Sequence, residues 1–267
     1  MYKNSMNNEW KVYIYKEVKR GVSKLKLEDI LKKENYSPFI INTILYSNES
    51  KNNNIRSYCK DPMIMTYSKF LSDKECDFFI NISENNLKRA LVNGNEKDEI
   101  SQDRTGKNTW IEHNFNEITK NVAERIAKII GIPLQNAEKF QVIYYDVNQE
   151  YKSHYDSWEL ENSEKCSRNM KYGGARLVTA LCYLNSVEKG GQTTFTKLNL
   201  NISPEKGKLL IFQNTISKDN NNVHTLSEHA GTPVEKGEKY AFNLWFRECP
   251  MNMLYKDYNP DFYNIIK

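Results

Sequence analysis

Apolar residues near the start of the chain recur at roughly helical spacing: Leu25, Leu27, Ile30 and Leu31, then Ile40, Ile41, Ile44 and Leu45. Ser37-Pro38 separates the two groups, and Pro38 suits the first turn of a helix. The pattern predicts a small helical hairpin, followed by a polar linker from Ser47 to Asn54. Further along, Ser72 is placed to cap a helix running to Leu87, with Cys76, Phe79, Ile80 and Ile82 on its apolar face. A second helix is expected from Glu117 to Ile130, carrying Val122, Ile126, Ile129 and Ile130 on one side and ended by Gly131 and Pro133.

The periodicity then changes. Phe140 to Tyr145, Arg176 to Leu184, Thr193 to Thr196, Lys208 to Phe212 and Lys239 to Arg247 are short β-branched or aromatic segments punctuated by glycines. Short strands after two helices read as an α+β fold: a jelly-roll (double-stranded β-helix) or sandwich core with helices packed on one face. Residues 1–60 are expected to be a helical N-terminal extension that packs on a single domain spanning 61–267. Two polar stretches, Asn93 to Asn108 and Glu159 to Tyr172, are expected to be mobile loops beside a site.

Composition narrows the function classes. The 267 residues carry 38 Lys and Arg against 34 Asp and Glu, a net charge of +4. No concentrated basic block marks a nucleic-acid or membrane partner. No apolar run approaches the roughly 18 residues of a membrane span. The first 30 residues lack a secretion-signal pattern, so a cytoplasmic location is expected. Cys59, Cys76, Cys166, Cys182 and Cys249 are widely spaced, which fits neither a disulfide scaffold nor a cysteine zinc site.

The chain has four histidines, His113, His154, His224 and His229. His154 and Asp156, two apart on an extended chain, point to the same side and can share one ion. A third ligand must come from a distant segment, and His229 sits in a glycine-flanked stretch before the last strand. Two imidazoles and one carboxylate on one face of an ion leave three positions open, a set that suits non-haem Fe(II).

Three blocks give this pattern its context. Gln141 to Asp156, Arg176 to Asn185 with Gly190 to Phe195, and His229 to Arg247 resemble, in order, the prolyl 4-hydroxylases of the Fe(II)/2-oxoglutarate dioxygenase superfamily. The resemblance covers about residues 70–248 and excludes the first 60. It implies that His154, Asp156 and His229 are the iron ligands. His113 has no carboxylate at the H-x-D spacing, and no cation follows His224 at the family spacing.

The resemblance also implies that Lys239, ten residues after His229, binds the distal carboxylate of 2-oxoglutarate. A dicarboxylate entering a narrow apolar barrel needs such a partner. Tyr145 is expected to donate its hydroxyl to this co-substrate, and Thr194 to line its pocket. Arg104 and Trp245 match the peptide-binding positions, where an arginine meets a peptide carbonyl and a tryptophan walls a proline ring. Trp158 stands close to where the family often has an aromatic residue after the metal aspartate.

The implied reaction hydroxylates peptidyl proline while 2-oxoglutarate and O₂ are converted to succinate and CO₂, with ascorbate as reductant. Lysyl hydroxylases resemble the same core but carry Arg where Lys239 stands. A nucleic-acid demethylase is disfavoured by the missing arginine pattern after the distal histidine. A non-enzymatic protein-binding module is disfavoured because ligands and cation are intact.

Overall fold

The N-terminal residues form helices because their ends are capped and their few apolar side chains share a face. In a computed structural model, residues 3, 6–37, 40–41, 44–45, 54–93, 97–158, 164–217 and 220–253 are described. Helix α1, Asn8–Lys19, starts at Asn7, whose side chain accepts the Trp10 N–H. Helix α2, Lys24–Lys33, starts at Ser23, which caps Lys26 in the same way. Ile14, Leu27, Leu31, Ile40, Ile41 and Leu45 are buried in the main core. Helix α1 was not expected: its buried stripe is so thin, with Ile14 alone fully buried, that periodicity does not reveal it. Most of the expected linker, residues 47–53, lies outside the described residues.

The expected boundary after residue 60 cuts through a β-hairpin. Strand β1, Ile55–Lys60, pairs antiparallel with β2, Met63–Tyr67, and is the edge of the large sheet. Sheet pairing, rather than helix packing, therefore organises the chain from residue 55.

The remaining strands are β3 (Lys88–Arg89), β4 (Lys107–Ile111), β5 (Phe140–Tyr145), β6 (Tyr151–His154), β7 (Arg176–Tyr183), β8 (Thr193–Phe195), β9 (Leu200–Ile202), β10 (Leu209–Gln213), β11 (His229–Gly231) and β12 (Lys239–Arg247), with three minor two-stranded pairs besides. The large antiparallel sheet has the order β1-β2-β10-β7-β12-β5-β4-β3, and the small one β9-β8-β11-β6. This is the expected jelly-roll core.

Strand alternation gives the large sheet two different faces. Phe140, Val142, Ala180, Cys182, Phe242, Leu244 and Phe246 share a core with helices α3, Asp73–Ser83, and α4, Glu117–Ile130. Ile143, Tyr145, Leu181, Tyr183 and Ala241, from the alternate positions, pack with Phe195 and Ile202 of the small sheet. Both helices begin with reciprocal capping, Ser72 with Glu75 and Asn116 with Thr119. Gly131, at φ 75°, ends α4 in the left-handed conformation. Helix α3 stops at Ser83, short of the expected Leu87, and passes into a 3₁₀ turn where the Asn86 amide donates to the Ile82 carbonyl.

The two polar stretches hold more structure than loops. Val92–Asn93 pairs with Asp98–Glu99, Arg104 bridges to Tyr151, and β4 begins at Lys107. The second stretch contains the helix Glu164–Met170, whose Cys166 and Met170 are buried.

Phe79 joins helix to sheet: it is fully buried, with its ring centroid 5.1 Å from Phe140 and 4.9 Å from Phe242. Phe79→Ala should lower the unfolding free energy by about 3–5 kcal/mol, read as a lower urea midpoint at unchanged slope.

Candidate metal centre

The site forms where the small sheet meets the open end of the barrel. Strands β6 and β11 pair antiparallel with His229 directly opposite His154. Asp156 follows β6 and is buried, 7% exposed. One ligand atom from each of the three lies within 4.8 Å of the others, the only such group among the described residues.

Local hydrogen bonds set the chemistry of each donor. His154 Nδ1 lies 2.7 Å from the Lys152 carbonyl, and His229 Nδ1 lies 2.9 Å from the Ser227 carbonyl. A carbonyl only accepts, so both Nδ1 atoms carry a proton, and Nε2 is the nitrogen of each ring left to serve as a metal donor. Each Nε2 lies 3.6 Å from an Asp156 oxygen: His154 faces Oδ1 and His229 faces Oδ2. The His154 ring is held flat against Tyr151, centroids 3.6 Å apart.

Burial pushes His229 down to about 4, the approach of Asp156 only partly opposing it, so the ring is neutral at neutral pH. Burial alone would raise Asp156. The histidine rings and the Arg176 guanidinium outweigh it and hold the carboxyl well below its ordinary range. The Nε2 atoms of two histidines and one carboxylate, turned toward a common point, fit Fe(II) as a donor set.

The ligands line a cavity of about 790 Å³, which Tyr145, Lys239, Arg104 and Trp245 also line. Lys239 is 2% exposed, and no acidic partner is seen for it among the described residues; its Nζ sits 5.8 Å from the Tyr145 ring centroid and 5.6 Å from that of Tyr183. Burial alone lowers it to about 8. Tyr145 stands across from Lys239 in the β5–β12 ladder. Its ring lies against Gly106, where an added Cβ would come within 2.6 Å of it.

Arg104 donates to the Leu91 carbonyl at 3.3 Å and to Gln141 Oε1 at 2.9 Å, and lies over the Tyr151 ring. Its Nε, like Trp245 Nε1, is buried without an acceptor among the described residues. Thr194 stands apart. Its hydroxyl donates to Asn201 on the far side of the small sheet, and its neighbour Thr193 faces the cavity instead. Strand alternation sends adjacent residues to opposite faces, which corrects the expectation for Thr194. His113 meets the Glu138 carbonyl and His224 meets Asp61, both away from the ligand cluster.

Arg176 and Tyr183 escaped sequence reasoning. Arg176 donates to the buried Glu138 carboxylate at 2.6 and 2.8 Å, to the Asp156 carbonyl at 3.3 Å, and stacks 3.8 Å over the Trp245 ring. Trp158 lines the cavity and is stacked by Arg176 and Arg247. Tyr183 donates to Thr193 at 2.7 Å. The available signal was the period-two pattern of β7, in which Thr179, Leu181 and Tyr183 share one face.

Two outcomes follow for the metal-free protein. The depressed value of His229 means the unfolded chain binds its proton first on acidification, so stability should fall as pH drops from about 6.5 to about 4. His229→Gln should flatten that part of a Tm-versus-pH curve. Keeping Lys239 charged in the folded protein costs about 3 kcal/mol at neutral pH, about 1.4 kcal/mol for each unit between its ordinary 10.5 and about 8. Lys239→Met should therefore raise the Tm at pH 7, and the gain should shrink as pH rises from 8 to 10.5.

Comparison with known proteins places this geometry. The sequence model of the 2OG-Fe(II) oxygenase superfamily matches residues 140–247. A putative prolyl 4-hydroxylase of Acanthamoeba polyphaga mimivirus is 40% identical over 145 residues, 54% of this chain and 59% of the relative. Prolyl 4-hydroxylase 5 of Arabidopsis thaliana is 31% identical over 209 residues, 70% of this chain and 68% of the relative. The crystal structure of the viral collagen prolyl hydroxylase from Paramecium Bursaria Chlorella virus-1, in complex with 2OG, is 27% identical with a TM-score of 0.56, covering 69% of this chain and 95% of that one. The chain thus spans 59% of the mimivirus relative and 62% of probable prolyl 4-hydroxylase 7 of Arabidopsis thaliana. On the strength of that 31% identity across more than two thirds of prolyl 4-hydroxylase 5, the chain belongs to the prolyl 4-hydroxylase family of the 2OG-Fe(II) oxygenase superfamily.

Proposed function

We propose that this chain is an Fe(II)- and 2-oxoglutarate-dependent dioxygenase that hydroxylates peptidyl proline. The observation that carries the reading is one cavity with a two-histidine, one-carboxylate face and a buried lysine that has no acidic partner among the described residues. The names of the relatives support it. His154, Asp156 and His229 would hold the metal. Bound there with 2-oxoglutarate and O₂, Fe(II) supplies the oxidising chemistry, in which 2-oxoglutarate becomes succinate and CO₂ and one oxygen atom enters the substrate C–H bond.

The protein's own groups select and orient the reactants. The Lys239 ammonium pairs with the distal carboxylate of 2-oxoglutarate, turning a destabilising buried charge into a binding one. Tyr145, its neighbour across the ladder, donates a hydroxyl hydrogen bond to the same carboxylate. Trp245, held rigid by Arg176, walls the substrate ring. Arg104 lines the same cavity and is placed beside Trp245 to meet a peptide. Ascorbate as reductant belongs to the same reading.

A lysine at position 239 favours a prolyl over a lysyl substrate, as the family resemblance implies. A reducing, cytoplasmic setting agrees with the five cysteines, all free thiols. Among the described residues no helix is long and apolar enough to cross a membrane.

The test is incubation with Fe(II), 2-oxoglutarate and a panel of proline peptides, followed by mass spectrometry. We expect a gain of one oxygen atom on proline with matching succinate, and no turnover in His154→Ala or Asp156→Ala. Oxygen added to lysine or to a nucleobase, or no product from any proline peptide, would overturn the assignment. Lys239→Ala should raise the KM for 2-oxoglutarate about 10- to 100-fold, the loss expected for a charged hydrogen bond. In the parent protein, kcat/KM for 2-oxoglutarate should fall as pH rises through about 8, where Lys239 loses its proton, and this dependence should vanish in the variant.

A further inference from the structure

We propose that Thr179 and Asn214 are positioning residues that hold Asp156 to one ligating oxygen, an inference that rests on the metal reading above. Thr179 lies on β7, between Phe212 and Trp245 in the sheet ladder, and Asn214 directly follows β10; both are fully buried. The Thr179 hydroxyl lies 2.7 Å from Asp156 Oδ2. A ligating carboxylate only accepts, so the hydroxyl proton is committed to Asp156. Thr179 Oγ1 can then only accept from its other neighbour, and Asn214 Nδ2 donates to it at 2.9 Å.

This order of donors fixes which way the Asn214 amide faces. The cost is visible: Asn214 Oδ1 is buried with no donor among the described residues. A side chain that leaves an acceptor unmet in order to aim its NH₂ at Thr179 is held there by its backbone. The Asn214 N–H donates to the Leu177 carbonyl at 2.9 Å, and its own carbonyl accepts from the His224 N–H at 2.8 Å and from the Ser227 hydroxyl at 3.4 Å. The Ser227 carbonyl in turn holds His229 Nδ1. One buried asparagine thus braces the carboxylate ligand through Thr179 and a histidine ligand through Ser227.

With Oδ2 engaged by a hydroxyl, Oδ1 is left as the metal donor beside His154 Nε2. Single-oxygen ligation keeps three positions open for the co-substrate and O₂. Without the hydroxyl the carboxylate is no longer held in the orientation that presents Oδ1.

Co(II) binding to the full chain, followed by calorimetry and visible absorption, tests this. Thr179→Val should raise the Kd for Co(II) about 10- to 100-fold, the usual loss on removing a ligand's hydrogen-bond partner, and should change the Co(II) absorption spectrum. Thr179→Ser, which keeps the hydroxyl, should retain the parent affinity and spectrum. Asn214→Ala should shift both in the direction of Thr179→Val. A purely structural role would lower the Tm while leaving Kd and spectrum unmoved, and that result in Thr179→Val overturns the inference. Should Thr179→Val not fold, unchanged Kd and spectrum in Asn214→Ala overturn it instead. Failure of the parent protein to bind Co(II) would instead sink the metal reading itself, together with everything built on it.

Discussion

The pairing of β6 with β11 is the constraint on which the site depends. Only this register places His154 opposite His229. A slip of one residue would turn every side chain of one strand to the other face, separating the two imidazoles. The register is held from outside the strands as well. Ser153 donates to the Glu228 carboxylate at 3.0 Å, and Lys197 closes on the same carboxylate at 2.8 Å. The ring-to-carbonyl bonds at Lys152 and Ser227 then aim both imidazoles without help from any bound ion.

Around this pair the fold buries charge in two different ways. Glu138 is fully compensated: Arg176 and Arg247 both donate to it, and their pull overcomes the burial that would raise its carboxyl. That cluster orders the walls of the cavity by tying β7 to β12 and by stacking Arg176 on Trp245. Lys239 is the opposite case, a buried cation with burial as the only influence on its pKa. A compensated cluster contributes shape, whereas Lys239 carries the cost of burial with no acidic partner among the described residues.

Much of the architecture is legible along the chain. Capping residues at Ser72 and Gly131 announce helix ends, because caps act within a few residues of the chain they satisfy. Glycine-led runs mark β7, β10 and β12, and an aromatic and β-branched run marks β5, for the same local reason. What escaped was non-local or weakly patterned. Helix α1 shows one fully buried residue, so its packing partner is invisible from periodicity. β1 lies beside a polar tract and is recognisable only once β2 pairs with it. Thr194 and Thr193 are interchangeable in a motif, and only the sheet says which of them faces inward.

By itself the sequence determined helices α2, α3 and α4, strands β5, β7, β8, β10 and β12, the H-x-D pair, the separation of His229 from Lys239 and the family they resemble. All of these are written in residue type and spacing. Tertiary structure alone decided which alternate residues face the cavity, how each imidazole is turned, and that Arg176 and Thr179 bond to Asp156 with Asn214 behind Thr179. The reason is physical: hydrogen-bond direction and burial depend on partners as far apart in sequence as Glu138 and Arg247, which only the closed sheet brings within 2.6 Å.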